Sequence, residues 1–435
     1  MNVCMITLGC PKNIVDSETL LGHFQIDTSF KVVESANEAD VIIINTCAFL
    51  LSAREEAIDT ILQAAELKKT GQCKYVFVVG CLPQKYKKEL EVEIPEVDGF
   101  FDQLDFGLVA KAIASKLNTN ISNEFHRRLS TPSHYAYLKI ADGCDNRCSY
   151  CTIPSIKGGF HSRNMQQLIA EANGLVIGGV KELVLIAQDT TNYGTDLHPQ
   201  TSLYNLMSEL ITLPSLEWLR LMYTHPLNWD ERLIALVRDS RSVCRYLEMP
   251  IQHASDSILK RMGRRVTNYS MRTLFDSLRN QVPNITLRTT AIVGFPGETR
   301  QDFETLVEFV NAVEFERLGI FTYSPEDDTP AFQFEDQIDD EEKEDRFQEL
   351  LEVQKSIAER YHKQRIGGIE RVIIDEYDDE RSCYLARSEG ESPDVDPQIL
   401  IDEPVNIGEF YTVRITDADA YELFGSLEHI ESQGD

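Results

Sequence analysis

The strongest constraint on the fold is a rhythm in which short apolar runs alternate with helix-like segments from the N-terminus to about residue 335. In the first part VCMITLG, DVIIINT and KYVFVVG each precede a helical stretch, the first beginning near Ile14 and the second near Ser52. Strands joined through helices lie parallel, so residues 1–118 are expected to form an open parallel α/β sheet. The polar run NTNISNEFHRRLSTPS at 119–134 reads as a linker. A second series begins at Tyr135, with strand candidates YAYLKIA, ELVLIAQ, EWLRLMY, RYLEMPI, ITLRTTAIV and RLGIFTY. Six βα units over 134–335 are too few to close an eight-stranded barrel and predict a partial (β/α)6 one.

Residues 336–368 are expected to be a connecting helix. Asp339 to Arg365 is highly charged, and Phe347, Leu350, Leu351, Val353, Ile357 and Tyr361 can form a packing stripe. Past Gly367 and Gly368 the pattern becomes RVIIDEY, YLARS, QILIDE, EFYTVRITDA and YELFGSLEHI, which predicts a small antiparallel β-barrel over 369–435. The whole is a multidomain α/β chain.

Composition removes several classes. The chain has 435 residues, of which 42% are hydrophobic, enough for two or three cores and too apolar for a disordered scaffold. MNVCMITLGCPKNIVD is no signal peptide and no run is long enough to span a bilayer, so the expectation is a soluble cytoplasmic protein without a membrane partner. Ten cysteines then point to metal or redox chemistry, with buried inert thiols as the alternative for any one of them. The formal net charge of −29 repels polyanions and attracts basic partners, although acidity can also serve solubility alone.

GCDNRCSYC places Cys144, Cys148 and Cys151 in one loop straight after the strand YLKIA. Structural zinc takes four ligands, usually as two separated pairs, whereas three thiolates on a four-iron cube leave one iron open to a small chelating ligand. Short thiol motifs also serve zinc and redox sites. Position favours the cluster, because the active sites of βα barrels lie at the carboxyl ends of the strands.

From about residue 135 to 335 the chain resembles the radical S-adenosylmethionine superfamily. The resemblance implies that Cys144, Cys148 and Cys151 hold a [4Fe-4S] cluster that binds and cleaves S-adenosylmethionine. It places the aromatic Tyr150 near the adenine. Ala187-Gln188-Asp189 resembles the segment that holds the methionine amino group, though the usual Gly-Gly-Glu is absent, and Gln188 is the main candidate. The strand ends Glu248-Met-Pro-Ile-Gln252-His253 and Ala291-Ile-Val-Gly294-Phe-Pro296-Gly297-Glu298 resemble those lining the ribose and adenine. Gly294, Pro296 and Gly297 would allow close backbone approach to a ligand, or simply make a tight turn. Arg163 and Arg288 could contact a carboxylate or belong to structural ion pairs.

Cys10, Cys47 and Cys81 fall in LGCPKN, NTCAFL and VGCLPQ, each after an apolar strand and before a helix. In a parallel sheet such positions gather at the ligand crevice, and helix N-termini favour thiolate. They read as ligands of a second metal cluster, while Cys4, Cys73, Cys244 and Cys383 read as structural.

With this second site the domain order resembles the methylthiotransferase family over nearly the whole chain, its C-terminal barrel being TRAM-like. The resemblance implies two [4Fe-4S] clusters. It also implies two roles for S-adenosylmethionine, as methyl donor and as radical source, and a methylated sulfur delivered from the Cys10/Cys47/Cys81 cluster. Family members modify either a transfer-RNA adenosine or an aspartate of ribosomal protein twelve of the small subunit. KIADGCDNRCSYCTIPSIKGGFHSR, AQDTTNYG and ARSEGESPDVDPQILI resemble the protein-modifying branch. Residues 366–435 agree, because they carry 4 Arg and no Lys against 19 Asp plus Glu, a net of 4 − 19 = −15, where an RNA-binding barrel needs a basic surface. The expected partners are that basic ribosomal protein, free or in its subunit, and an electron donor such as flavodoxin or ferredoxin; transfer RNA is not expected as a direct substrate.

Overall fold

A computed structural model describes residues 1–25, 30–103, 105–119, 127–198 and 201–428. They fall into two compact units. One comprises Met1–Thr131, Asp142–His161 and Ser324–Phe332; the other comprises Pro132–Ala141, Ser162–Tyr323 and Gln333–Asp435.

The first unit is built on β1 (Asn2–Thr7), β2 (Lys31–Val32), β3 (Val41–Thr46), β4 (Tyr75–Gly80) and β5 (Gly99–Phe100). They are parallel throughout, in the order β2-β1-β3-β4-β5. The helices are α1 (Pro11–Gln25), α2 (Leu51–Lys69), α3 (Cys81–Glu93) and α4 (Phe106–Lys116). Side chains alternate between faces: Cys4, Ile42, Ile44, Val76 and Val78 pack on α2 and α3, while Val3, Val41, Ile43, Phe77 and Val79 pack on α1 and α4. A sheet covered on both faces needs apolar residues at every position, which is why DVIIINT reads as an unbroken run. Helix α1 starts at Pro11 rather than near Ile14, because the missing N–H of proline costs nothing in the first turn.

Residues 120–126 of the expected linker lie outside the described residues. Its later part is held on α1: Arg127 forms a 2.6 Å ion pair with buried Glu18, which also accepts the Ser130 N–H at 2.7 Å.

In the chain β6 (Tyr135–Lys139) is followed by a loop containing β7 (Ala141–Asp142), α5 (Ile153–Lys157) and β8 (His161–Ser162). The second unit continues through α6 (Met165–Ile177), β9 (Glu182–Ile186), α7 (Leu203–Leu210), β10 (Trp218–Leu221), α8 (Glu231–Asp239) and β11 (Val243–Glu248). Then come α9 (Asp256–Arg261), α10 (Asn268–Gln281), β12 (Thr286–Val293), α11 (Arg300–Val313), β13 (Arg317–Thr322) and α12 (Asp340–Arg365). The strands form a parallel sheet in the order β13-β12-β11-β10-β9-β6, the sequential neighbour pairing that successive βα units produce.

The C-terminal strands β14 (Ile369–Asp378), β15 (Cys383–Arg387), β16 (Ile399–Ile401), β17 (Phe410–Ala418) and β18 (Leu423–Leu427) close a barrel in the order β14-β15-β16-β18-β17. It differs from the antiparallel expectation at one pair, since β16 and β18 run parallel. An odd number of strands cannot alternate direction all the way round. The last residues of the candidate strand YELFGSLEHI lie outside the described residues.

Buried ion pairs tie this barrel to β9, β10 and β13 within the second unit. Glu182 pairs with Arg220 at 2.6 Å and with Arg387 at 2.8 Å, and Glu391 pairs with Arg317 at 3.0 Å. Asp396 pairs with Arg288 at 2.6 Å and accepts the Tyr246 hydroxyl at 2.7 Å. Among the described residues no helix is long and apolar enough to cross a membrane.

Candidate metal centres and cofactor site

Cys10, Cys47 and Cys81 sit at the carboxyl ends of β1, β3 and β4, three adjacent strands of one sheet. Two glycines let these turns approach. Gly9 has φ +94°, and a Cβ there would stand 2.7 Å from Cys47 Cβ; Gly80 has φ +91°, and a Cβ would meet Asn45 Oδ1 at 2.2 Å. Buried amides fix the turns: Asn13 Nδ2 donates to Leu8 O at 2.8 Å and Thr46 O at 3.1 Å, and Asn45 Nδ2 donates to Asn13 O at 2.9 Å. Cys81 Sγ lies 4.0 Å from Asn13 Oδ1.

Burial raises two of these thiols, Cys47 and Cys81. It pushes Cys81 up to about 12 against the pull of Lys157, with Cys47 and Cys10 adding repulsion. Cys47 is also raised, first by burial, with Cys10 contributing. Without metal Cys47 and Cys81 are thiols, and metal binding must displace their protons. Lys157, at the end of α5, is buried, and its Nζ has no hydrogen-bond partner.

Cys144, Cys148 and Cys151 lie in the loop between β7 and α5, within the same compact unit. Gly143 has φ +72°, and a Cβ there would be 2.1 Å from Gly159 O, so the two ends of the loop touch through backbone alone. The Cys144 N–H donates to Gly158 O at 3.2 Å, and the Cys151 N–H to Cys148 O at 3.1 Å. Arg147 is held at φ +50°, a conformation that costs a non-glycine residue about 1 kcal/mol or more. Tyr150 is half-buried, and the Ala331 N–H donates to the neighbouring Ser149 O at 2.8 Å.

No three His, Cys, Asp or Glu side chains among the described residues converge as ligands of a single ion. A four-iron cube binds its cysteines at different irons and therefore wants them further apart. Three thiols at adjacent strand ends fit such an anionic group, and so does the nearby buried lysine, whose ammonium is 3.9 Å from Asp16 Oδ2 and has no hydrogen-bond partner.

The remaining candidates belong to the second unit. Gln188 follows β9, and its Oε1 is buried without a hydrogen-bond partner, which fits an absent donor such as an amino group. Glu248 ends β11, where its Oε2 accepts the Tyr223 N–H at 2.8 Å. Gln252 bridges to Ala291, receives the Ile292 N–H at 2.7 Å and is held at φ +69°. Gly294 follows β12 at φ +70°; the close neighbour there is Lys343, whose Cγ would lie 2.3 Å from an added Cβ. Pro296 O accepts from Arg261 Nε at 3.1 Å, and Arg261 also crowds the position of a Gly297 Cβ. The chain's own packing thus uses the open space at both glycines.

Arg163 and Arg288 have structural partners, Arg163 with Glu171 and Lys139 O, and Arg288 with Asp396. Cys4, Cys73, Cys244 and Cys383 are buried free thiols, none of them at the carboxyl end of a strand. Sequence reading missed Lys157 and Asn13; the only signal was their nearness in sequence to the cysteine motifs.

The class of protein follows from the domain matches and the fold. Residues 138–310 match the radical SAM superfamily, residues 366–427 the TRAM domain, and residues 2–102 uncharacterized protein family UPF0004. The fold is similar to that of the radical S-adenosylmethionine methyltransferase TsrM from Kitasatospora setae, with a TM-score of 0.55 at 14% identity over 76% of each chain. This is a radical SAM protein with a cysteine-bearing N-terminal sheet and a TRAM barrel. Two curated relatives are the ribosomal protein uS12 methylthiotransferases RimO of Geobacter sulfurreducens, 43% identical over 98% of both chains, and of Acetivibrio thermocellus, 44% identical over 98% of both. The chain belongs to the RimO methylthiotransferase family.

Proposed function

We propose that this protein is a radical S-adenosylmethionine methylthiotransferase that modifies ribosomal protein uS12, at the β-carbon of an aspartate. The observation that carries the reading is the pair of three-cysteine sets at backbone turns of a single compact unit, in a chain 43% identical to a uS12 methylthiotransferase along its length. Cys144, Cys148 and Cys151 hold one [4Fe-4S] cluster and Cys10, Cys47 and Cys81 the other. When bound, these groups and S-adenosylmethionine supply a 5'-deoxyadenosyl radical that takes the β-hydrogen, and a methylated sulfur that combines with the carbon left behind.

The residues of the chain provide placement. Gly9, Gly80 and Gly143 set the loop paths, and Asn13 and Asn45 hold the auxiliary turns so that the thiols are preorganised before metal arrives. Tyr150, Gln188, Glu248, Gln252, Gly294 and Pro296 are the proposed contacts of S-adenosylmethionine, with Gln188 Oε1 accepting from its amino group. An electron donor of flavodoxin or ferredoxin type, working in the cytoplasm, completes the reaction.

The test is anaerobic incubation of reconstituted protein with S-adenosylmethionine, sulfide, reductant and either uS12 or transfer RNA, followed by mass analysis. A methylthio increment on uS12 is expected, and one on RNA alone overturns the choice of substrate. Cys144→Ala should abolish 5'-deoxyadenosine formation. Cys47→Ala should keep part of it while losing sulfur insertion, and normal methylthiolation by Cys47→Ala would sink the two-cluster scheme.

A further inference from the structure

Lys157 is the last residue of α5, and two contacts seat that helix on the Cys47 and Cys81 turns. Ile156 packs in the same core as Ala48, Cys81 and Leu82, and Thr152 Oγ1 donates to Phe49 O at 3.2 Å. The Lys157 side chain is 3% exposed, and its Nζ makes no hydrogen bond. The nearest carboxylate oxygen, Asp16 Oδ2, is 3.9 Å away, beyond hydrogen-bond range. A buried ammonium with all three N–H donors unmet is strongly disfavoured unless an anion completes its surroundings. Helix α5, which ends at Lys157, packs on α3, whose first residue is Cys81.

Asp16 supplies one negative charge at a distance, and three cluster-bound thiolates supply more. A hydrosulfide or methanethiolate added to such a cluster would bring another negative charge into a buried place, where it needs a cation. Lys157 is a buried cation whose ammonium has no hydrogen-bond partner. We propose that Lys157 is a positioning residue whose ammonium binds the exchangeable sulfur anion, hydrosulfide or methanethiolate, at the Cys10/Cys47/Cys81 site. This rests on the proposed sulfur-transfer function and adds to it the group that selects an anionic sulfur ligand. Arginine would keep the charge; methionine keeps length and burial without it.

The experiment uses the full chain, reconstituted anaerobically in a Cys148→Ala background so that the auxiliary cluster is observed alone. Methanethiolate is titrated in, and the electron paramagnetic resonance spectrum of the reduced cluster reports binding. Lys157→Met should weaken binding by about tenfold or more, the scale of one lost charge-assisted contact, and Lys157→Arg should recover most of it. Asp16→Asn, which removes the competing carboxylate, should tighten binding, and it keeps the question decidable if Lys157→Met assembles no cluster. Parent-like affinity in Lys157→Met, or no tightening in Asp16→Asn, overturns the role of Lys157 alone. A parent protein with no four-iron cluster, or with one indifferent to methanethiolate, overturns the sulfur-transfer reading itself.

Discussion

Gly9 shows how a single residue conditions the auxiliary site. Its φ of +94° is disfavoured for any side chain, and a Cβ would press on Cys47 at 2.7 Å. Gly9→Ala should lower stability by about 1–3 kcal/mol. It should also lose iron from the auxiliary site while 5'-deoxyadenosine formation persists. Iron content per chain and a thermal melt check this, and full iron loading with an unchanged melt would refute it. Asn13 and Lys157 work at the same scale, one through hydrogen bonds and the other through charge. The cysteines themselves were legible because thiol residue type and spacing are local signals. Their supporting polar residues were not, since an asparagine or lysine acquires its role only from what the fold sets beside it.

Helix α12 and the segment after β15 show element-scale design in the second unit. His362 on α12 accepts from Arg317 Nη1 at Nε2, so its Nδ1–H donates to Asp419 O, both at 2.7 Å. This is the neutral tautomer. Burial, then the Arg317 charge, pushes its pKa down to about 4. The unfolded chain would protonate this group below about 6.5, so the stability it contributes is present above that pH and is lost as pH falls toward 4. The loss should be on the order of 2–3 kcal/mol. Apoprotein denatured by urea at pH 7 and at pH 4.5 should show it, and His362→Gln should remove that share of the difference; an identical pH response in the variant refutes the assignment.

The stretch ARSEGESPDVDPQILI resembles the protein-modifying branch, and its acids are engaged inside the unit. Burial raises the Glu391 carboxyl, but Arg365 and Arg317 override it and hold the group well below the usual carboxylate range. Glu391→Gln leaves two guanidinium groups short of a partner and should cost about 3–5 kcal/mol, read from the denaturation midpoint. A midpoint within experimental error of the parent would show that the network is dispensable.

At the scale of the whole molecule the governing quantity is charge, −29 in total and −15 over residues 366–435. Asp375, Glu391 and Asp396 are consumed by internal arginines, so the acidic surface offered to a partner is smaller than the count implies. A basic protein should still bind through long-range attraction that salt screens. Raising ionic strength from about 50 to about 200 mM should weaken uS12 binding several-fold, mainly through a slower on-rate. Surface plasmon resonance measures this, with transfer RNA as the comparison expected to show little binding. Salt-insensitive uS12 binding would remove charge as the basis of recognition.

The sequence by itself determined the architecture and singled out the proposed donor atoms: alternating apolar runs dictate the parallel sheets, and six cysteines at strand ends or in one loop are the proposed cluster ligands. Those are properties of periodicity and residue type, which survive without knowledge of distant neighbours. Tertiary structure alone decided that α12 and the Ser388–Asp396 segment are anchored by buried ion pairs, that an odd-stranded barrel must hold one parallel pair, and that Lys157, on a helix packed against α3, is buried without a hydrogen-bond partner. Burial and charge pairing depend on residues far apart in the chain, and only the folded backbone brings them together.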